Sequence, residues 1–188
     1  MKRLILVVFA FIFITNLSLA RDNMSLSFLG GLAIPTGDFG DLYDTGIALQ
    51  GIFEYRITPS LGITASGGYL SFSESVEYPE FPGEIFDRTF STIPLLAGVR
   101  YYIIPDATSP YLNAEVGLHM VSWERDEPFL DEPASASGSD IGFSAGGGLL
   151  LHLNPDFQID ARAQYNSINT ETDPLTYFSG VVGIRILL

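Results

Sequence analysis

The sequence predicts an all-β chain, an eight-stranded antiparallel up-and-down transmembrane β-barrel. Three observations predict it. In Asp156–Asn166 every second residue changes sides: Phe157, Ile159, Ala161, Ala163 and Tyr165 are apolar, while Asp156, Gln158, Asp160, Arg162, Gln164 and Asn166 are polar. Such strict alternation describes a strand with one face in an apolar medium and the other in a polar one. Alternating segments then recur eight times, and the connections between them alternate between short and long.

The first twenty residues set the route of the chain. Lys2 and Arg3 precede an apolar run from Leu4 to Ile14, and Ser18-Leu19-Ala20 places small residues where a signal peptidase reads. The run is shorter than the roughly 20 residues of a spanning helix. Residues 1–20 therefore read as a cleaved signal peptide, and 21–188 as one barrel domain of 168 residues. Cleavage removes two of the nine basic residues and no acid, so the charge moves from −13 to −15. That acidity excludes nucleic acid as a partner. The chain has no cysteine, hence no disulfide framework and no lipid-modified cysteine.

The eight segments are 25–34, 46–57, 61–72, 90–103, 110–123, 140–153, 156–166 and 176–188. Each matches or slightly exceeds the 9–11 or so residues of a tilted membrane strand. The turns at Pro59, Pro105 and Pro155 are short, and proline cannot donate to a strand ladder. The connections 35–45, 73–89, 124–139 and 167–175 are longer and polar. Short turns on one side and long loops on the other give a bacterial outer-membrane topology, with both termini in the periplasm.

The two faces separate cleanly. One carries Leu26, Phe28, Leu32, Ile34, Ile47, Leu49, Phe53, Tyr55, Ile93, Leu95, Val99, Tyr101, Leu112, Val116, Leu118, Met120, Phe178, Val182, Ile184, Ile186 and Leu188, without a charge. The other carries Glu54, Arg56, Arg100, Glu115, His119, Asp160, Arg162 and Arg185. A water-soluble barrel reverses this arrangement. Charges confined in a narrow lumen must pair or be wet. Three acids against four arginines predict a salt-bridged plug, with Leu96, Tyr102 and Leu150 adding bulk. Tyr55, Tyr101 and Phe157 at one rim, and Tyr69, Tyr165 and Phe178 at the other, fit interfacial girdles.

Two stretches carry a family resemblance. Gly30-Gly31-Leu32-Ala33-Ile34-Pro35-Thr36-Gly37-Asp38-Phe39 and Thr92-Ile93-Pro94-Leu95-Leu96-Ala97-Gly98-Val99-Arg100-Tyr101-Tyr102 resemble the outer-membrane protein beta-barrel domain family, which includes small OmpA/OmpX-like barrels. The resemblance covers 21–188 and implies location in the cell outer membrane, among lipid and lipopolysaccharide. It also implies delivery by periplasmic chaperones and the barrel-assembly machinery. The C-terminal Gly183-Ile184-Arg185-Ile186-Leu187-Leu188 is similar to that machinery's recognition signal, with Gly183, Ile186 and Leu188 at its key positions. Ile186 and Leu188 are aliphatic where the signal usually has aromatics.

Chemistry is sparser. His119 and Glu115 lie two pleats apart on one face, the spacing of an acid–base pair, but no motif supplies a nucleophile. A polar interior network accounts for both residues without catalysis, so the sequence implies no enzyme, cofactor or catalytic residue. His152 falls near a periplasmic strand end, and no transition-metal spacing exists. Sixteen of the 22 acids lie in or beside the long connections, against Arg88 and Arg125. Hard divalent cations suit such oxygen clusters, although acidic loops also serve simply as solvated surface. Trp123, Phe81 and Phe129 are placed to cap the mouth. The reading that follows is a structural or surface-interaction barrel with a plugged lumen. A narrow porin-like channel and a lipid-modifying enzyme are the alternatives.

Overall fold

The computed structural model describes residues 23–77, 85–104, 108–125, 134–170 and 173–188. Eight strands run antiparallel to their neighbours: β1 Met24–Thr36, β2 Gly46–Thr58, β3 Leu61–Glu77, β4 Ile85–Tyr102, β5 Thr108–Arg125, β6 Ala134–His152, β7 Phe157–Asn169 and β8 Leu175–Leu187. They close into one barrel in sequence order. The seam pairs β1 with β8 from Ser25↔Leu187 to Thr36↔Thr176. Closure gives each strand two neighbours across the span, which an apolar solvent requires because it cannot hydrogen-bond a free edge.

Side-chain burial follows the alternation. Phe28, Leu112, Val116 and Val182 stand on the outer surface with more than half of their area accessible. Their sequence neighbours Ser27, Asn113, Glu115 and Val181 are buried inside. Outward exposure of that size at so many large apolar residues is favourable only against lipid. On β4 the outward band runs from Ile93 to Tyr101, about 27 Å along a tilted strand at roughly 3.4 Å per residue. Tyr69, Tyr165 and Phe178 mark its loop-side edge, with Tyr165 and Phe178 in edge contact at 5.3 Å. Tyr101 and Phe157 mark its turn side, both exposed.

The turn between β6 and β7 closes locally. Asn154 accepts hydrogen bonds from the backbone N–H groups of Asp156 and Phe157 at 3.0 and 2.9 Å. This side-chain turn reverses the chain between β6 and β7 without lost backbone partners.

The loop side departs from the sequence expectation in two ways. The central strands are longer: β3, β4, β5 and β6 have 17, 18, 18 and 19 residues, while β1, β2, β7 and β8 have 13 each. The expected connections 73–89 and 124–139 therefore contain ladder at both ends, with pairs such as Glu74↔Arg88 and Glu124↔Ser135. Above the apolar band neither face needs hydrophobic residues, so Ser/Thr-rich strand carries no alternation to read. The extra length makes a four-stranded wall that rises about 17 Å further along the strands than the rest of the barrel. Pairing of β6 with β7 begins only at Ile141↔Asn169, so Ser135–Asp140 pairs with β5 alone.

The second departure is the β1–β2 connection, expected to be an open acidic loop. After Pro35 a single 3-10 turn at Gly37–Phe39, entered through Gly37 at φ 61°, folds the chain back into the mouth. Phe39 and Tyr43 are buried there.

The lipid face generates a direct test. Val116→Arg, in mid-band, should lower folding stability in phospholipid vesicles by roughly 2–4 kcal/mol. Ser137→Arg, on the same outward face but above the band, should leave it nearly unchanged. Equal tolerance of both substitutions in a folding titration would contradict this assignment of the membrane band.

Candidate functional site

The lumen is filled in two layers of different chemistry. Its turn-side layer is built where β2, β4, β7 and β8 each place a charge on the inward face near their turn-side ends. The Arg100 guanidinium lies 3.0 Å from Glu54 and 3.3 Å from Asp160, and Arg185 lies 3.2 Å from Glu54. Two tyrosines join the cluster. Tyr102 donates to Glu54 at 2.6 Å and accepts from Arg185 at 2.6 Å, and Tyr111 donates to Asp160 at 2.5 Å. Arg100 stacks over the Tyr111 ring at 4.2 Å. Gly62 makes room, since a Cβ there would stand 2.7 Å from Glu54 Oε1.

A second ion pair sits deeper, towards the middle of the barrel. Glu115 accepts from Gln164 at 3.2 Å, Thr64 at 3.3 Å and Arg162 at 3.4 Å. Among the described residues the buried charges are thus Glu54, Glu115 and Asp160 against Arg100, Arg162 and Arg185. That set is neutral. Arg56, the fourth arginine, is different: its side chain is 27% exposed at the rim, 3.8 Å from Glu54 and stacked over Tyr102 at 4.2 Å. Burying an unbalanced fourth cation would be expensive, and the turn-side rim lets it stay hydrated.

His119 does not join this network. Glu115 has its three partners elsewhere, and the His119 ring reaches Thr92 Oγ1 through Nδ1 at 3.5 Å. The ring lies over Gly142, where a Cβ would fall 2.6 Å from its Cδ2. The acid–base spacing in the sequence is therefore not an acid–base contact, because residues four apart on one strand stand about 13 Å apart and meet different neighbours. His152 lies on the exposed rim and contacts Gln158 Nε2.

The loop-side layer is apolar, beside the salt-bridged plug that the sequence predicted for the lumen. Leu29, Ala33, Ala48, Ile52, Leu70, Phe72, Phe90, Val121, Ile168, Tyr177 and Val181 form one cluster with Phe39 and Tyr43. Phe39 packs on Phe72 and Phe90 at 5.1 and 5.2 Å, and Trp123 covers Phe90 at 5.4 Å. Trp123 thus takes the capping place expected of it; Phe81 and Phe129 lie outside the described residues. Phe39 and Tyr43 escaped the sequence reading because their connection is too short and irregular to show a period. Phe39 two residues beyond Gly37, in a stretch otherwise rich in Asp, was the available signal.

Between the layers, Asn113, Ser66, Ser144 and His119 Nε2 have polar side-chain atoms with no protein partner among the described residues. Buried groups of this kind are normally satisfied by ordered water. An internal cavity lined by Gln50, Leu96, Gln164, Asn166 and Tyr177 measures about 20 Å³, room for one water and not for a hydrated ion. Among the described residues no three acidic, histidine or cysteine side chains cluster as a metal site. Glu80, Glu84, Asp126, Glu127, Asp131, Glu132 and Glu171 lie outside them. Of the C-terminal signal positions, Ile186 pairs with Leu26 and Phe157, Gly183 with Leu29 and Asp160, and the Leu188 N–H donates to Met24 O at 3.0 Å.

A closed, filled, eight-stranded barrel with an apolar outer band is an outer-membrane barrel. The chain belongs to the outer membrane protein beta-barrel domain family, which matches residues 5–185. No protein of curated function matches it. Solved structures share the fold at low identity. Neisserial surface protein A is 18% identical, with a TM-score of 0.61 over 88% of this chain and 97% of that one. A major outer membrane protein from Thermus thermophilus is 13% identical, with a TM-score of 0.61 over 87% and 98%. Ail of Yersinia pestis, solved with the heparin analogue sucrose octasulfate, is 18% identical, with a TM-score of 0.52 over 87% and 97%.

The site generates a ranked prediction. Glu54 lies against Arg56, Arg100 and Arg185, whereas Glu115 pairs with Arg162 alone. Glu54→Gln should therefore cost about 3–5 kcal/mol of folding stability. Glu115→Gln should cost less, about 1–3 kcal/mol. Urea unfolding in vesicles checks the order, and the reverse order would show that the three-arginine contact is not what holds this end together.

Proposed function

We propose that this protein is a non-enzymatic, non-conducting outer-membrane scaffold whose loop-side wall meets partners outside the cell. The observation that carries the reading is a lumen filled at both ends beneath a four-stranded sheet that continues past the lipid band. A channel needs a continuous wet path; here one end is packed by paired charges and tyrosines, the other by Phe39, Phe72 and Phe90. A lipid-modifying enzyme needs its acid, base and nucleophile at an accessible place. His119 and Glu115 are both buried and have separate partners.

Surface charge narrows the class of partner. The exposed loop-side residues include Asp38, Asp41, Asp44, Glu124 and Asp173, while Arg88 is engaged with Glu74 at 3.6 Å. A polyanionic sugar such as the one bound to Ail is repelled by that surface, so cationic or neutral partners fit better. Delivery by periplasmic chaperones and insertion through the barrel-assembly machinery, read from Gly183, Ile186 and Leu188, belong to the same proposal.

Planar-bilayer recording of the purified barrel, beside lipid A analysis of cells with and without the gene, tests it. The expected outcome is no stable single-channel conductance and an unchanged lipid A profile. Steady conductance would establish the porin-like reading, and an altered acyl pattern the enzymatic one.

A further inference from the structure

The outward face of the projecting wall carries a regular array of hydroxyl groups. Ser71 pairs with Ser91, Ser91 with Ser122 and Ser122 with Ser137, so one serine from each of β3, β4, β5 and β6 stands in a single row across the sheet. One pleat higher, Ser73, Thr89, Glu124 and Ser135 make a second row by the same registers. Residues directly opposite in neighbouring strands share a face, and strands lie about 4.8 Å apart, so each row is about 14 Å wide. The alternation fixes the direction: Leu70, Phe72, Phe90, Thr92 and Val121 point inward and are buried, and the serines between them point outward. The hydroxyls of both rows bond to no other described side chain or backbone group.

Height on the barrel decides what this array meets. The next outward residues down β3, β4 and β5 are Tyr69, Ile93 and Met120, the upper edge of the lipid-facing band, and on β6 Ser139 comes before Ile141. The hydroxyl rows continue that same surface just above the acyl chains. With the long loops outside the cell, this is the level of the sugars in the outer leaflet. The rows contain no lysine or arginine, and the one charged member, Glu124, opposes phosphate. Closely spaced neutral hydroxyls beside a carboxylate exchange hydrogen bonds with sugar hydroxyls.

We infer that the Ser71–Ser91–Ser122–Ser137 and Ser73–Thr89–Glu124–Ser135 rows form a contact surface for the neutral core sugars of lipopolysaccharide in the surrounding outer leaflet. The surface holds the barrel among these lipids through hydrogen bonds to sugar rather than through basic residues on phosphate. It rests on the loop-side orientation used above, but not on what the loops bind or on the lumen being closed.

The test compares the full-length mature barrel in nanodiscs of phospholipid alone, of phospholipid with deep-rough lipopolysaccharide lacking the heptose and hexose core sugars, and of phospholipid with core-complete lipopolysaccharide. The readout is the midpoint of heat-modifiable migration. The expected result is a rise in midpoint with the core-complete lipid only. That rise should be lost in a variant carrying Ser71→Ala, Ser91→Ala, Ser122→Ala and Ser137→Ala, and retained when the same four positions carry threonine. All three proteins should share one midpoint in phospholipid, which separates a lost contact from a damaged fold. Equal stabilisation by the deep-rough lipid would place the contact at the phosphates and overturn the inference. So would a rise that survives loss of the four hydroxyls.

Discussion

Everything in this molecule descends from one constraint: inside a bilayer, a backbone N–H or C=O without a partner has no water to turn to. Eight strands meet it by closing on themselves, with β8 returned to β1 along the whole seam. Closure at so small a circumference then creates a second demand. The inward side chains face one another across a narrow space, and whatever they are, they must satisfy each other. Charges survive there only in neutral combination, which is why Glu54, Glu115 and Asp160 are matched by Arg100, Arg162 and Arg185 while Arg56 stays at the rim.

The two layers solve the same problem by different means. Near the turns, guanidinium groups, carboxylates and tyrosines interlock over several strands, so that β2, β4, β5, β7 and β8 are tied through their side chains as well as their ladders. Near the loops, aromatic packing does the filling, completed by a connection that folds inward. A core of this kind resists opening from either end. Above this core the projecting β3–β6 wall has no lumen to enclose and no lipid to satisfy on its upper face.

The legibility of the sequence follows the solvent. Where two media differ across a strand, residues had to alternate, and the eight crossings, the lipid face and the inward charges could all be read from Asp156–Asn166 and its counterparts. Where the media are alike, as on the wall above the membrane, Ser135–Ser139 reads as loop although it is strand. Phe39 and Tyr43 were hidden for a further reason, because their burial depends on a turn at Gly37 and on partners far away in sequence, Phe72 and Phe90. His119 shows the limit of face assignment: parity places it inside and four residues of strand keep it about 13 Å from Glu115, but only the folded barrel shows that it meets Thr92.

The central claim, that lumen charges are held in one neutral buried set with Arg56 outside it, is most directly tested on the arginines. Urea unfolding in phospholipid vesicles would compare Arg100→Met, Arg185→Met and Arg56→Met, a replacement that keeps most of the side-chain volume. The account predicts losses of about 3–5 kcal/mol for Arg100 and Arg185, whose removal strands a buried carboxylate. For the partly exposed Arg56 it predicts about 1 kcal/mol or less. Three equal losses, or a loss at Arg56 exceeding that at Arg100, would contradict it.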